Sequence, residues 1–342
     1  MIDLMKTINI NKILKKDENK EVVNTLDLIK EYITSAEKII VMTHDSPDGD
    51  AVGCTLAMNK ALRNFNKEAD IYIPEYSRLF GFLPGANEIK SNIDENVQYD
   101  LAISLDCADT KRLIGYEFFE NAKKTIVIDH HGSNQMYGDI NFVNPAAPAC
   151  AEVLVSIFQY LEIPIEKDIG SCLLTGIITD TGGFSYSGVT ADTFEFTAEL
   201  IRKGVHITEL YKKVFQTKTK THFELAKRIM DRTEFYEDGK IAFTYMTSKD
   251  EEEVKAEPGD QEGLVEIGRD IEGVELSIFA KQKEGKDLYK ISMRSDEYVN
   301  VSDLCLIYGG GGHPRAAGCQ IKGSLDDIKT KLLNQAKKAV QK

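Results

Sequence analysis

KIIVMTHDSPDGDAVGCTLAMNKAL, residues 38–62, contains the fold's repeating unit. KIIVMT (38–43) is a short apolar run that reads as a strand ending at His44. Ala51 to Leu62 reads as a helix. The joint between them carries His44, Asp45, Asp48 and Asp50. A strand handing over to a helix through a polar joint is the building block of a parallel sheet with helices on its faces.

The same rhythm continues on both sides. Leu26 to Ile33 has helical spacing, and ADIYIP (69–74), DLAISLD (100–106), TIVIDHH (125–131) and INFVNP (140–145) read as strands. Helices are predicted over Ala151–Leu161, Lys167–Ile178 and Ala191–Lys203. Strands alternating with helices predict an α/β fold, a mostly parallel doubly wound sheet flanked by helices, with ligands at the carboxyl ends of its strands. A helical stretch at Lys218–Arg232 precedes a different pattern. KIAFTYM (240–246), VELSIFA (274–280), LYKISMR (288–294) and GCQIK (318–322) look like strands, with helices near 262–270, 301–308 and 325–341. The acidic patch Lys249–Glu257 reads as a loop or short helix. These predict a smaller C-terminal α+β domain with a mixed sheet. The expected boundaries are a polar extension over 1–24, a first domain over 25–217, a linker helix over 218–232 and a second domain over 233–342.

Composition narrows the function. Of 342 residues, 42% are hydrophobic and 28% charged, as in an ordinary soluble protein of two domains. No apolar run approaches the ~20 residues that span a bilayer, and the N-terminus lacks the pattern of a secretory signal, so a cytoplasmic protein without a membrane partner is expected. Six scattered cysteines with no CxxC pair read as small core residues in a reducing compartment. The formal net charge of −13 opposes binding of long duplex nucleic acid, which depends on basic groups that neutralise phosphates. A small anion remains compatible where bound cations supply local positive charge.

Histidines and aspartates gather where the predicted elements end. His44, Asp48 and Asp50 follow the first strand, Asp106 closes DLAISLD, Asp129-His130-His131 closes TIVIDHH, and Asp180 ends GIITD. A lone Asp at a strand end most often caps the following helix, and Asp48 and Asp50 could each do so. Three histidines and five aspartates at four such ends exceed what capping requires. Crowded carboxylates repel unless cations sit among them. Carboxylates with a minority of imidazoles suit two Mn²⁺, with Mg²⁺, Fe²⁺ or Co²⁺ as substitutes. Two ions ~3.5–4 Å apart can activate a water and neutralise a phosphoryl group, and Asp106 is the natural shared ligand.

The order HxxxDxD (44–50), Asp106, Asp129-His130-His131, Asp180 resembles the DHH phosphoesterase superfamily. The run Gly309-Gly310-Gly311-Gly312-His313-Pro314-Arg315-Ala316-Ala317-Gly318 is similar to the signature of the DHH-associated C-terminal domain. Together the resemblance covers the chain from about residue 25 to its end. It is strongest to the branch whose members degrade short RNA and remove the 3′-phosphate of pAp. It implies one ion on His44, Asp48 and Asp106, and a second on Asp50, Asp106, His130 and Asp180. It also implies His131 as a general acid or phosphate contact, oriented with its neighbour by Asp129. Ser46 stands where many relatives have Asn.

In the C-terminal run, Gly310, Gly311 and Gly312 would bring backbone N–H groups close to an anion, with His313 and Arg315 adding charge. Arg294 is a second candidate phosphate or base contact, and Arg112 a weaker one. Phe184 and Tyr186, just past Asp180, could stack a base. Phe194 and Phe196 are expected in the core. The implied activity is two-metal hydrolysis of short oligoribonucleotides and of pAp, with substrate gripped by the C-terminal loop and the metals presented by the first domain. The alternative is a phosphodiesterase for cyclic or linear dinucleotides such as c-di-AMP, pApA or pGpG. A homodimer is the base-rate expectation.

Overall fold

A computed structural model of the chain describes residues 19–283 and 287–341. Most of the polar extension expected over 1–24, residues 1–18, therefore lies outside the described residues. The chain divides into two compact units, the first ending at Thr217 and the second beginning at Lys218.

In the first unit, helix α1 (Asn19–Ser35) leads into β1 (Ile39–Met42), α2 (Gly49–Leu62), β2 (Ala69–Tyr72), β3 (Ile89–Lys90) and β4 (Leu101–Leu105). After α3 (Tyr116–Glu120) come β5 (Lys124–Asp129), β6 (Ile140–Val143), α4 (Cys150–Tyr160), α5 (Lys167–Asp180), α6 (Ala191–Arg202) and α7 (Ile207–Tyr211). The six strands lie in the order β3-β2-β1-β4-β5-β6, and every pair is parallel. All residues of β1 and β4 are buried, as in a sheet covered on both faces. One core gathers α1, α2, α4 and α5 against Val41, Ile103 and Ile128; a smaller one packs Phe118 and Phe119 under Ile40, Ala102 and Val127 on the other face. Burial of this kind contributes roughly 1.5–3 kcal/mol for each large apolar side chain.

In the second unit, α8 (Lys220–Asp231), β7 (Glu234–Tyr236), β8 (Ile241–Met246), α9 (Ser248–Val254) and β9 (Leu276–Gln282) precede β10 (Leu288–Ser295). They are followed by α10 (Val301–Leu306), β11 (Gly311–His313), β12 (Ala316–Lys322) and α11 (Leu325–Val340). The sheet order is β11-β12-β10-β9-β8-β7, antiparallel except between β8 and β9, so the sheet is mixed. The stretch read as a linker helix packs into this unit: Leu225, Ala226 and Ile229 meet Met246, Leu264 and Phe279. The helix expected near 262–270 is a single 3₁₀ turn, Leu264–Glu266. Gly263 and Gly268 within that stretch and Gly273 just beyond it disfavour a longer helix. The acidic patch supplies α9, whose N-terminus is fixed by a capping box between Thr247 and Asp250. No described helix is long and apolar enough to cross a membrane.

Candidate metal centre

The parallel order places β1, β4 and β5 side by side, so the residues at their carboxyl ends share one edge of the sheet. His44 stands two residues past β1, Asp106 directly after β4, and Asp129 at the end of β5 followed by His130 and His131. Asp48 caps α2, its Oδ1 accepting from the backbone N–H groups of Asp50 at 3.0 Å and Ala51 at 3.1 Å. Only Oδ1 is used for capping, so the second oxygen of the same carboxylate is left as a possible donor to an ion. Helix α5 delivers Asp180 from its last position. At Gly176, a Cβ 2.9 Å from Ala151 Cβ would also strike the Asp50 carboxylate, so glycine lets α5 lie against the site. Asp106 adopts φ 53°, a left-handed conformation that costs a non-glycine residue of order 1 kcal/mol and is concentrated at functional sites.

Two groups of residues that could hold an ion come together. The donor atoms of His44, Asp48 and Asp106 lie within 4.8 Å of one another, as do those of Asp50, His130 and Asp180. Asp106 connects them. Its Oδ2 is 3.7 Å from His44 Nε2 and its Oδ1 3.5 Å from His130 Nε2, while His130 Nε2 is 3.1 Å from Asp180 Oδ2. Asp50 is 0% and Asp106 2% exposed, so these charges cannot be left to water. Asp106 Oδ1 is buried and accepts no hydrogen bond from any of the described residues.

Electrostatics agree with a cation site. Burial, then the charges of Asp106 and Asp180, push the Asp50 carboxyl well above its usual range. Burial likewise raises Asp180 to about 6 despite its bond to His130. Burial pulls His44 down, but its bond to Asp106 and the charge of Asp48 prevail and raise it to about 9. His130 is raised against its own burial by Asp180, Asp106 and Asp50. Asp106, opposed by burial, is held ionised by the three imidazoles. Beyond the effect of burial, the carboxylates' mutual repulsion and the raised imidazoles His44 and His130 reflect negative charge crowded into one place. A divalent cation relieves it, and the oxygen and imidazole donors fit such an ion.

Each histidine is turned the same way. His44 Nδ1 lies 2.7 Å from Asp45 O and His130 Nδ1 3.1 Å from Ala147 O. A carbonyl can only accept, so Nδ1 carries the proton and Nε2 faces the carboxylates. His131 Nδ1 is 2.7 Å from Asp129 Oδ1. Asp129, fully buried, also accepts from the backbone N–H of His130 at 2.7 Å and His131 at 3.3 Å, and from Asn134 Nδ2 at 2.6 Å. Asp50 is anchored in turn: Cys150 N–H donates to Oδ2 at 2.6 Å, and Ala151 N–H and Cys54 Sγ donate to Oδ1 at 3.0 and 3.2 Å. Arg112 sits at the rim, its Nε bonded to Asp45 Oδ1 at 3.0 Å and its Nη2 3.2 Å from His44 Nδ1.

The candidate residues of the second unit lie on the interior strand β10 and around the edge strand β11, and are mostly engaged within the unit. Gly311–His313 is β11, paired with Ala316–Gly318 of β12. A Cβ at Gly310 would run into Gly318 O, and one at Gly312, where φ is 142°, would stand 2.6 Å from Ala316 O. These two glycines permit close strand pairing, whereas Gly311 has nothing within 4 Å of an added Cβ. Arg315 Nη1 donates to Val299 O at 2.9 Å and its Nη2 to Glu297 O, bracing the loop that Glu275 grips through the N–H groups of residues 297–299. Arg294 donates from Nε to Glu266 Oε1 at 2.8 Å and from Nη1 to Met293 O at 3.1 Å. His313 is exposed at the end of β11. Phe196 is buried as expected, but Phe194 is 55% exposed and stacks on Phe184.

Comparison with known proteins places this geometry. The profile of the DHH family's N-terminal domain matches residues 38–177, and the DHHA1 domain profile matches 238–342. The chain is 31% identical over 310 residues to a bifunctional oligoribonuclease and PAP phosphatase of Thermus thermophilus, spanning 90% of this chain and 91% of that one. A cyclic-di-AMP phosphodiesterase of Listeria monocytogenes is 26% identical across 86% of this chain and 46% of its own length. An exopolyphosphatase-related protein of Bacteroides fragilis has a crystal structure that superimposes with a TM-score of 0.81 at 26% identity, covering 92% of this chain and 95% of that one.

Proposed function

The chain belongs to the DHH family, and from that premise we propose that it is a divalent-metal-dependent phosphohydrolase that degrades very short oligoribonucleotides to mononucleotides and converts pAp to AMP. The observation that carries the reading is the meeting of His44, Asp48, Asp50, His130 and Asp180 around the buried Asp106. His44, Asp48 and Asp106 would hold one ion, and Asp50, Asp106, His130 and Asp180 the other. The donor set favours Mn²⁺, with Mg²⁺ or Co²⁺ as substitutes. When bound, such ions lower the pKa of water and neutralise phosphoryl charge.

The chain's own residues do the rest. The Nδ1 contacts of His44 and His130 fix their rings with Nε2 inward. Asp129 holds His131 by Nδ1, which leaves Nε2 as the atom to meet a phosphate oxygen or protonate the departing one. Buried Asp50 cannot swing away, because two backbone N–H groups of α4 hold both its oxygens. In the second unit, Gly311, His313 and Arg294 are the proposed phosphate or base contacts. A second reading, cleavage of cyclic or linear dinucleotides, draws support from the likeness to the Listeria enzyme.

The test is a substrate panel of pAp, di- to pentaribonucleotides, c-di-AMP and pApA, run on metal-stripped protein with Mn²⁺, Mg²⁺ or Co²⁺ restored. Turnover of pAp and the shortest RNAs, abolished by Asp106→Asn, is expected. Asn suits the left-handed backbone at 106. Full activity in that variant would refute the shared-ligand role, and a preference for c-di-AMP would favour the second reading.

A further inference from the structure

The segment after Asp180 has no role in holding a metal, yet it is built around aromatic rings. Gly182, Gly183 and Phe184 take φ 56°, 66° and 70° in succession. For Phe184 that conformation is strained, and such strain persists where surrounding structure enforces it. Here Gly183 N–H bonds Ile178 O at 2.7 Å, and Phe184 N–H bonds the Thr181 hydroxyl at 3.1 Å. Tyr186 folds its ring over Gly182. Phe184 stacks on Phe194, in the first turn of α6, with centroids 5.3 Å apart and planes at 26°. Phe194 remains 55% exposed, so its other face is open on a surface where an exposed phenylalanine has an apolar cost.

This stack is tied by the chain and by neighbouring contacts to the candidate metal centre. Phe184 is four residues past Asp180, at most about 14 Å along even an extended chain. A Cβ added at Gly188 of the same loop would stand 3.5 Å from Pro148, the residue between Ala147, which orients His130, and the Ala149–Ala151 turn, which anchors Asp50. Thr193, next to Phe194, lies close enough to Glu152, in that same turn of α4, to oppose the rise of its carboxyl.

We propose that the Phe184–Phe194 pair is a stacking platform for a nucleobase of the substrate, with the open face of Phe194 as the contact. The inference rests on the nucleotide-hydrolase reading and deepens it. An aromatic face accepts any base, because every base presents a π-face. The platform therefore selects for a base being present at the scissile end, and not for which base it is.

The probe is the 2-aminopurine ribonucleoside 3′,5′-bisphosphate, whose fluorescence falls on stacking, titrated with protein in Ca²⁺ buffer. Wild-type protein quenches it; Phe194→Ala weakens that binding about 5- to 150-fold, and Phe194→Tyr restores it. In parallel, the ratio of kcat/KM for pAp to that for ribose 3,5-bisphosphate lacking the base falls in Phe194→Ala by the same factor. Equal quenching by Phe194→Ala, or equal losses on the two substrates, overturns the platform. Quenching without hydrolysis of pAp or short RNA sinks the hydrolase reading and supports the stack; hydrolysis with an indifferent Phe194 does the reverse.

Discussion

Replacing Asp129 with Asn tests how far the metal centre depends on a residue that need not touch an ion. Asp129 Oδ1 receives His131 Nδ1 at 2.7 Å together with two backbone N–H groups, and Oδ2 receives Asn134 Nδ2 at 2.6 Å. Asn has one acceptor where Asp has two. Keeping the oxygen at Oδ1 turns its amide donors onto the Asn134 amide, so that bond is lost, at about 1 kcal/mol. The bond to His131 survives as a neutral one and weakens by on the order of 1–2 kcal/mol. The sum, about 2–3 kcal/mol, corresponds to a loss of roughly 30- to 150-fold if it falls on the transition state. Part of it falls on folding, so kcat/KM for pAp at saturating Mn²⁺ is expected to drop about 10- to 100-fold, as for residues that orient metal ligands. The assay pairs that rate with urea unfolding of the same protein. Activity within twofold of wild type, in a folded variant, would show that Asp129 does not position His131.

Other outcomes follow from particular contacts. Burial raises the Glu152 carboxyl from 4.5 to about 7, so the folded state holds its proton more tightly than the unfolded one. Its stabilising contribution is full below about pH 4.5 and is lost as pH rises through 7, by about 3 kcal/mol. Glu152→Gln should therefore gain stability over wild type between pH 5 and pH 8, and a constant gap in paired urea titrations would count against this. Gly310→Ala should destabilise the second unit by roughly 1–3 kcal/mol, while Gly311→Ala should be nearly neutral; thermal melts that rank them the other way would contradict the strand packing. Stripping divalent ions should lower the melting temperature, and Mn²⁺ restored to 100 times its Kd should return about 2.7 kcal/mol. A midpoint that ignores chelator would argue against ions among Asp50, Asp106 and Asp180.

Much of the first unit could be read from its apolar runs, because a strand buried on both faces has to be continuously hydrophobic. The His and Asp residues closing those runs stood out for the same reason: a charged or imidazole group at the end of an apolar strand needs partners that the strand itself does not supply. Short edge elements were not. β3, β7 and β11 span two or three residues and draw their pairing from neighbours, so no periodicity marks them. Phe194 was expected in the core because a helix-stripe aromatic usually packs inward; here Phe196 takes the core position, and the surface ring finds its partner ten residues back in Phe184. The anchors of Asp50 were silent in another way. Cys150 and Ala151 hold it by backbone N–H groups, which any residue but proline supplies. Arg315 resembles a phosphate grip in sequence, yet its guanidinium is committed to carbonyls of its own domain.

The anchoring of Asp50 also bears on how the site is prepared before anything binds. A carboxylate docked at the amide end of a helix already shares its negative charge with that helix dipole. Its two oxygens are set in place by the fold itself, so an arriving cation would find them waiting and would not have to order a side chain first.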